Sequence, residues 1–223
     1  AYTDGSKLNI EMSLIANERG LTPRVSGMEG PKAERVEQVL DLFDFDGYGG
    51  KAHVDYILGA RQHGGGVYVV ARSDDPFQRH YLDYYKIINR APYCVFFRPY
   101  HLCHFETPRA IAMSALYGRS VLDLRGGRMA DCYAYAKRAL SPGDRITHAI
   151  GSDEVYGLIM SVEEADADNL VPQGLLDIEE SDERPVVRRA VERDQPLTWD
   201  DIDMPDTRLL ELWRQQEKLL AGT

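Results

Sequence analysis

The chain has 223 residues, 43% of them hydrophobic and 28% charged, with a formal net charge of −10. That length supports one large domain or two small ones with buried cores. The acidic balance argues against a nucleic-acid surface, which needs a basic stripe, and against adhesion to anionic membranes, while no apolar run approaches the ~20 residues that span a bilayer.

Cys94, Cys103 and Cys132 are an odd number without CxxC spacing, which points to a reduced, cytoplasmic setting. No signal peptide is visible. The chain opens on Ala1 rather than Met, so a trimmed start is expected.

Residues 4–20 read as a helix: Asp4 or Ser6 can cap it, Leu8, Met12, Ile15 and Ala16 share one face, and Gly20 can end it. A Pro/Gly-rich connector leads to a second predicted helix, 32–43, with Val36, Val39, Leu40 and Phe43 facing inward. GVYVVARS, 66–73, reads as a strand apolar on both faces and therefore buried. Pro76 opens a short helix at its first position. YCVFFRP, 93–99, is a second strand. TPRAIAMSALYG, 107–118, is a helix with Thr107 as N-cap, Pro108 next and Gly118 at its end. This alternation predicts an α/β (α+β) layer over 1–118.

From 119 to 223 the predicted strands are short and the turns rich in Gly, Pro and Asp. AKRALSPGDRITH (136–148) and VRRAVERDQPLTWDD (187–201) share a basic pair, a small apolar pair, a polar turn and a hydrophobic–Thr exit, which reads as a repeated hairpin-like unit. The acidic SVEEADADNL, 161–170, between them is expected on the surface. Near the end, Leu209, Leu210, Trp213, Leu219 and Leu220 make a stripe on an amphipathic helix, for core packing or an oligomer contact.

These two repeated stretches resemble the halves of a SAF domain, a β-clip module. DGYGGKAHVDYILGARQHGGGVYVVARSDDPFQRHYLDYYK and RPYHLCHFETPRA resemble a bacterial family of SAF-containing, homoserine-dehydrogenase-like oxidoreductases that includes the deoxyxylulose phosphate reductoisomerase-like enzymes. The resemblance implies a catalytic, substrate-binding and oligomerisation region over 1–118, then an all-β SAF domain with a C-terminal helix over 119–223. It implies NAD(P)H as cofactor, a divalent metal (Mg or Mn) as a further one, a small hydroxy or keto substrate, phosphorylated or not, and a homodimer. The family carries a Rossmann domain ahead of this region. No G-x-G-x-x-G follows a predicted strand here, and Gly64-Gly65-Gly66 precedes one, so the expectation is part of a longer enzyme, inactive without its dinucleotide domain. Two other readings stand beside it: a non-catalytic SAF module for carbohydrate or anion binding and oligomerisation, and a component of a sugar-acid dehydratase or lyase.

The candidate chemistry follows from local patterns. Lys7 and Asp4 sit at the mouth of the first helix, where the resemblance implies proton transfer to a substrate oxygen; the structural alternative is a capped helix with a surface Lys7–Glu11 pair. Gly49, Gly50 and Lys51 form a turn whose N–H groups and charge suit an anion, and Arg61 and His63 ahead of Gly64 repeat that logic; either stretch also reads as a plain tight loop. His101, Cys103 and His104 align neither on a strand nor on a helix and lack zinc spacing. They follow a strand and precede a helix, so Arg98, His101 and His104 are substrate-contact candidates, with core packing as the alternative. The pairs Asp44/Asp46 and Asp74/Asp75 are the carboxylates available to a metal, and turn residues of this kind are usually solvated.

Overall fold

The computed structural model describes residues 5–62, 64–178 and 183–221. In chain order the elements are α1 (Ser6–Arg19), β1 (Thr22–Pro23), α2 (Val39–Leu42), β2 (His53–Val54), β3 (Val67–Arg72), α3 (Pro76–Tyr84), β4 (Ile88–Arg90), β5 (Tyr93–Arg98), α4 (Cys103–Tyr117), β6 (Ala130–Ala136), β7 (Val155–Ser161), α5 (Val162–Ala167), β8 (Val186–Val187), β9 (Ile202–Asp203) and α6 (Arg208–Ala221). This is a mixed α+β set built on small sheets. No described helix is long and apolar enough to cross a membrane. The chain divides into two compact units, one comprising 1–28, 53–55 and 124–223 and the other 29–52 and 56–123. The sequence reading grouped 1–118 instead, and the hydrogen bonds of α1 explain why this helix sides with the second half.

In the first unit α1 buries Ser6, Asn9, Ser13 and Ala16, a mostly polar face, while Leu8, Met12 and Ile15 stay half-exposed. The predicted apolar face is thus corrected. The cause is strand β7, which pairs antiparallel with β6 in a two-stranded sheet and leaves its other edge to be satisfied. Ser6 Oγ accepts from the Gly157 N–H (2.9 Å), Asn9 Oδ1 accepts from the Ile159 N–H (2.8 Å), and the Gly27 N–H donates to the Ile159 carbonyl (2.7 Å). Asn17 accepts from the Met129 and Ala130 N–H groups (2.7 and 3.0 Å) and donates to the Ala130 carbonyl (2.9 Å). A side-chain hydroxyl, a side-chain amide and the Gly27 backbone stand in for a further strand beside β7. Gly5, not Ser6, is the N-cap, and Gly20 closes the helix at φ 68° as expected. Asp4 lies outside the described residues.

The repeat is present, in a different physical form. Its two stretches do not make separate hairpins; they pair with each other. Leu140 and Val191 exchange both backbone bonds (2.8 and 3.0 Å). Around that pair every bond has a counterpart: Gly143 N–H to Val187 O and Asp194 N–H to Ala136 O, both 2.8 Å; Ile146 N–H to Pro185 O and Leu197 N–H to Ala134 O, 3.0 and 2.9 Å. Gly143 and Asp194, at equivalent positions, both take positive φ (93° and 64°). Ala136, Leu140, Ile146, Val187, Val191 and Leu197 supply half of one core cluster. The second half is not all β, however. SVEEADADNL forms α5, with Ser161 Oγ accepting from the Glu164 N–H (3.3 Å) and Ala165 buried. Of the α6 stripe, Leu210 is buried and Trp213 half-buried, while Leu209, Leu219 and Leu220 are exposed.

The second unit holds an antiparallel sheet of order β3-β5-β4. Tyr68, Val70, Ile88 and Val95 share its inner face and pack on Val36, Val39, Leu40 and Phe43, the inward residues read from periodicity. The 32–43 helix is reduced to a 3-10 turn at Val36–Gln38 followed by α2. Strand β3 is not buried on both faces: Val69 is 58% exposed and Phe96, its cross-strand partner, 45%. Pro76 takes the first position of α3 as read, and Asp75, read only as a candidate metal carboxylate, caps the helix, its Oδ1 accepting from the Phe77 N–H (2.9 Å). Helix α4 starts a turn earlier than Thr107, because the Leu102 carbonyl already accepts from the Phe105 and Glu106 N–H groups (2.8 and 2.9 Å). Pro108 therefore lies inside the helix, and Gly118 caps its end at φ 61°.

Candidate functional site

The early start of α4 decides the chemistry around the two histidines. Strand β5 ends at Arg98, and α4 brings Glu106 back in its first turn, where the helix dipole favours a carboxylate. Glu106 Oε1 lies 2.7 Å from Arg98 Nη2, and Oε2 lies 3.9 Å from His101 Nδ1. One carboxylate thus faces two nitrogen bases, on side chains that stay partly open to solvent: 52% for Arg98 and 53% for His101. Glu106 was not among the sequence candidates. His104, on the same first turn, makes a ring contact with Phe105 (4.5 Å) and is exposed, as is Cys103.

The glycine run backs this group. The Gly64 N–H donates to the Pro99 carbonyl (2.9 Å), and a Cβ on Gly66 would collide with the Arg98 carbonyl and Pro99. At Gly65, φ 82°, a Cβ would reach His101 Cδ2 at 4.0 Å. Gly66 thus serves close backbone approach to Arg98 and Pro99. Arg61 is exposed, with its N–H donating to the Glu34 carbonyl (2.9 Å), and His63 lies outside the described residues.

The other glycine turn has the expected left-handed backbone, Gly49 at φ 61° and Gly50 at φ 80°. Two of its three successive N–H groups are already used: Gly49 donates to Asp46 O (3.3 Å) and Lys51 to Tyr48 O (3.1 Å). An anion here would have to replace the turn's own bonds. Lys51 is exposed. Lys7 is exposed on the second position of α1, in the other compact unit.

The acidic pairs have structural partners. Asp44 Oδ1 accepts from the Gly47 N–H (3.0 Å), and Asp46 accepts from the Tyr93 hydroxyl (2.7 Å), a bond that pushes the Tyr93 pKa up. Asp74 pairs with Arg72 (2.8 Å), and Asp75 caps α3. Among the described residues no three His, Cys, Asp or Glu side chains gather as metal ligands, so those residues offer no Mg or Mn cluster. Nor do they fit a dinucleotide. Parallel pairing among them is limited to β1–β2 and a Lys32–Leu58 bridge, and the glycine triplet enters β3 rather than opening a helix.

A second polar group escaped the sequence reading. Arg128, with only 10% of its side chain exposed, sets Nη1 2.7 Å from Glu217 Oε1 and Nη2 3.9 Å from Asp131 Oδ2. Its guanidinium lies 5.6 Å from the Trp213 ring, which neighbours Trp199 at 5.2 Å. Burial pushes the Asp131 carboxyl and the Tyr133 hydroxyl up in pKa. The group ties α6 to the residues leading into β6, and its members span 128 to 217, too far apart for any local pattern.

No curated protein matches the chain. Residues 1–107 match the family model described as "Oxidoreductase DRL, catalytic domain", a stretch that contains Lys7, both glycine turns, Arg98, His101, His104 and Glu106. This part of the chain is therefore similar to an oxidoreductase catalytic domain.

Proposed function

We propose that the chain holds the substrate for an NAD(P)H-dependent oxidoreductase acting on a small, anionic hydroxy or keto compound. The observation that supports this is the convergence of Arg98 and His101 on Glu106 within the stretch similar to an oxidoreductase catalytic domain. A guanidinium grips a phosphate or carboxylate through its fork. An imidazole can give or take the proton of a substrate oxygen. Glu106 positions both, and an incoming anion competes with it for Arg98. Lys7 and Asp4 keep only the proton-transfer role that the resemblance implies. The described residues do not fit a dinucleotide, and none of the roles given to Arg98, His101, Glu106 or Lys7 runs through the nicotinamide. The paired repeat after residue 130 is read as the SAF module, outside the chemistry.

The test is calorimetric titration of the chain with inorganic phosphate and with a keto-phosphate substrate analogue. Arg98→Ala is expected to weaken binding by about ten-fold or more, the loss of one charge-assisted pair. Equal affinity in Arg98→Ala and the parent, or no binding in either, would overturn the assignment.

A further inference from the structure

The outer face of the three-stranded sheet departs from the usual pattern beside Arg98. An antiparallel sheet packed on one side normally turns polar residues to water on the other, and an edge strand normally carries charge there. Strand β3 is an edge, yet it presents Val67 and Val69, 40% and 58% exposed, and β5 adds Phe96 at 45%. The register puts these three on one face together with Arg98. Val67 pairs with Arg98 and Val69 with Phe96, and residues two apart along a strand leave the same side. Opposed residues have Cβ atoms about 5 Å apart, and neighbours along one face are spaced by roughly 7 Å. An apolar strip thus starts at Arg98, whose guanidinium meets Glu106, and runs back along β3 and β5. Farther along the same face β4 places the polar Asn89 beside Cys94, so the large apolar side chains are confined to the Arg98 end.

We infer that the substrate is an amphiphilic anion. Its phosphate or carboxylate sits on Arg98, the role proposed above and the reading on which this step rests, and its apolar body lies along Val67, Val69 and Phe96. Continuity selects this occupant. A guanidinium takes an anionic head through its fork, and the only large side chains the register sets beside it on this face are apolar. Size agrees. The open parts of the three side chains come to on the order of 200 Å². That is far below the roughly 800 Å² each partner gives to a standard protein interface, and it suits a chain of several carbons. Such a chain leaves water together with the strip it covers, which is the driving force for apolar contact. Local departures from the polar-outside rule are expected at functional sites, and this one adjoins the residues assigned to the substrate oxygen.

The experiment titrates the chain calorimetrically with methyl phosphate and hexyl phosphate, monoesters that share a head and differ in tail. In the parent, hexyl phosphate should bind about ten-fold tighter or more, since each added methylene, covered on one side, is worth roughly a factor of two. Phe96→Ala and Val69→Thr should each cut that ratio by about three-fold or more. Val69→Thr keeps a β-branched residue in the strand, so the comparison survives a Phe96→Ala chain that does not fold. Arg98→Ala should weaken both esters by about ten-fold and keep the ratio. A ratio near one in the parent overturns the inference whatever the variants do. The strip then serves water or a protein partner, and the substrate-site reading stands if methyl phosphate still depends on Arg98. A high ratio untouched by Phe96→Ala and Val69→Thr puts the tail elsewhere and also overturns it. If neither ester binds, or Arg98→Ala leaves both affinities at the parent values, the substrate-site reading falls and the amphiphile falls with it.

Discussion

Asp131 shows how one half-buried group sets a pH dependence. Burial disfavours its charged form, and the bond from the Cys132 N–H (2.7 Å) and the nearby Arg128 only partly offset this, so its pKa is raised. A carboxyl whose folded pKa is raised binds its proton more tightly folded than unfolded. Stability therefore falls as pH rises through the window above the ordinary carboxylate value, and the deficit persists at neutral pH. Asp131→Asn keeps an oxygen for the Cys132 N–H and removes the charge. Thermal melts should show a gain of about 1–3 °C at neutral pH that vanishes in acid below the ordinary carboxylate range. A gain independent of pH would show that the charge is not the cause. Glu106 teaches a different lesson at this scale. It went unseen because Thr107-Pro108 is a strong local start signal, and that signal placed the preceding residue outside the helix. A backbone turn closed by the Leu102 carbonyl overrode it.

At the scale of elements, α1 is the clearest case of a helix docked by hydrogen bonds rather than by an apolar stripe. Its leucine, methionine and isoleucine periodicity pointed to one face, and the sheet edge took the other. Asn17→Ala would strip a partner from the N–H groups of Met129 and Ala130 and from the Ala130 carbonyl. A loss of about 2–3 kcal/mol in denaturant unfolding is expected, since buried backbone groups are left unpaired. Leu14→Ala, on the exposed side of the same helix, should change stability by less than about 0.5 kcal/mol. Equal effects of the two would refute the edge-pairing account. Strand β3 carries the complementary lesson. Its apolar run read as buried on both faces, but within its antiparallel sheet only the Tyr68–Val70 face reaches a core, and Val69 is left outside.

At the scale of the whole molecule, the paired repeat is the main organiser of the second half. Leu140 and Val191 lie at its centre, bonded to each other and buried at 1% and 6% exposure. Leu140→Ala should cost about 2–4 kcal/mol through the cavity it opens, and the loss should be global, read as a lowered unfolding midpoint with an unchanged slope. If Leu140→Ala instead lowers the slope or splits the transition, the repeat does not hold the unit together as one body. The Arg128–Glu217 pair attaches α6 to the same unit from the far end of the chain.

What the amino-acid order determined by itself was local. The inward face Val36, Val39, Leu40 and Phe43, the Pro76 helix start, the Gly20 and Gly118 stops, the two strands of the first half and the similarity of the two repeat stretches were all readable, because each is encoded within a few neighbouring residues. Only the tertiary structure decided that α1 turns a polar face to β7, that the repeats pair with each other, that Glu106 meets Arg98 and His101, and that Arg128 gathers Asp131, Glu217 and Trp213. Each of these joins groups whose hydrogen bonds, charges or buried surface are satisfied by residues distant in sequence. Such pairings follow from where free sheet edges and buried charges come to lie, which no local periodicity records.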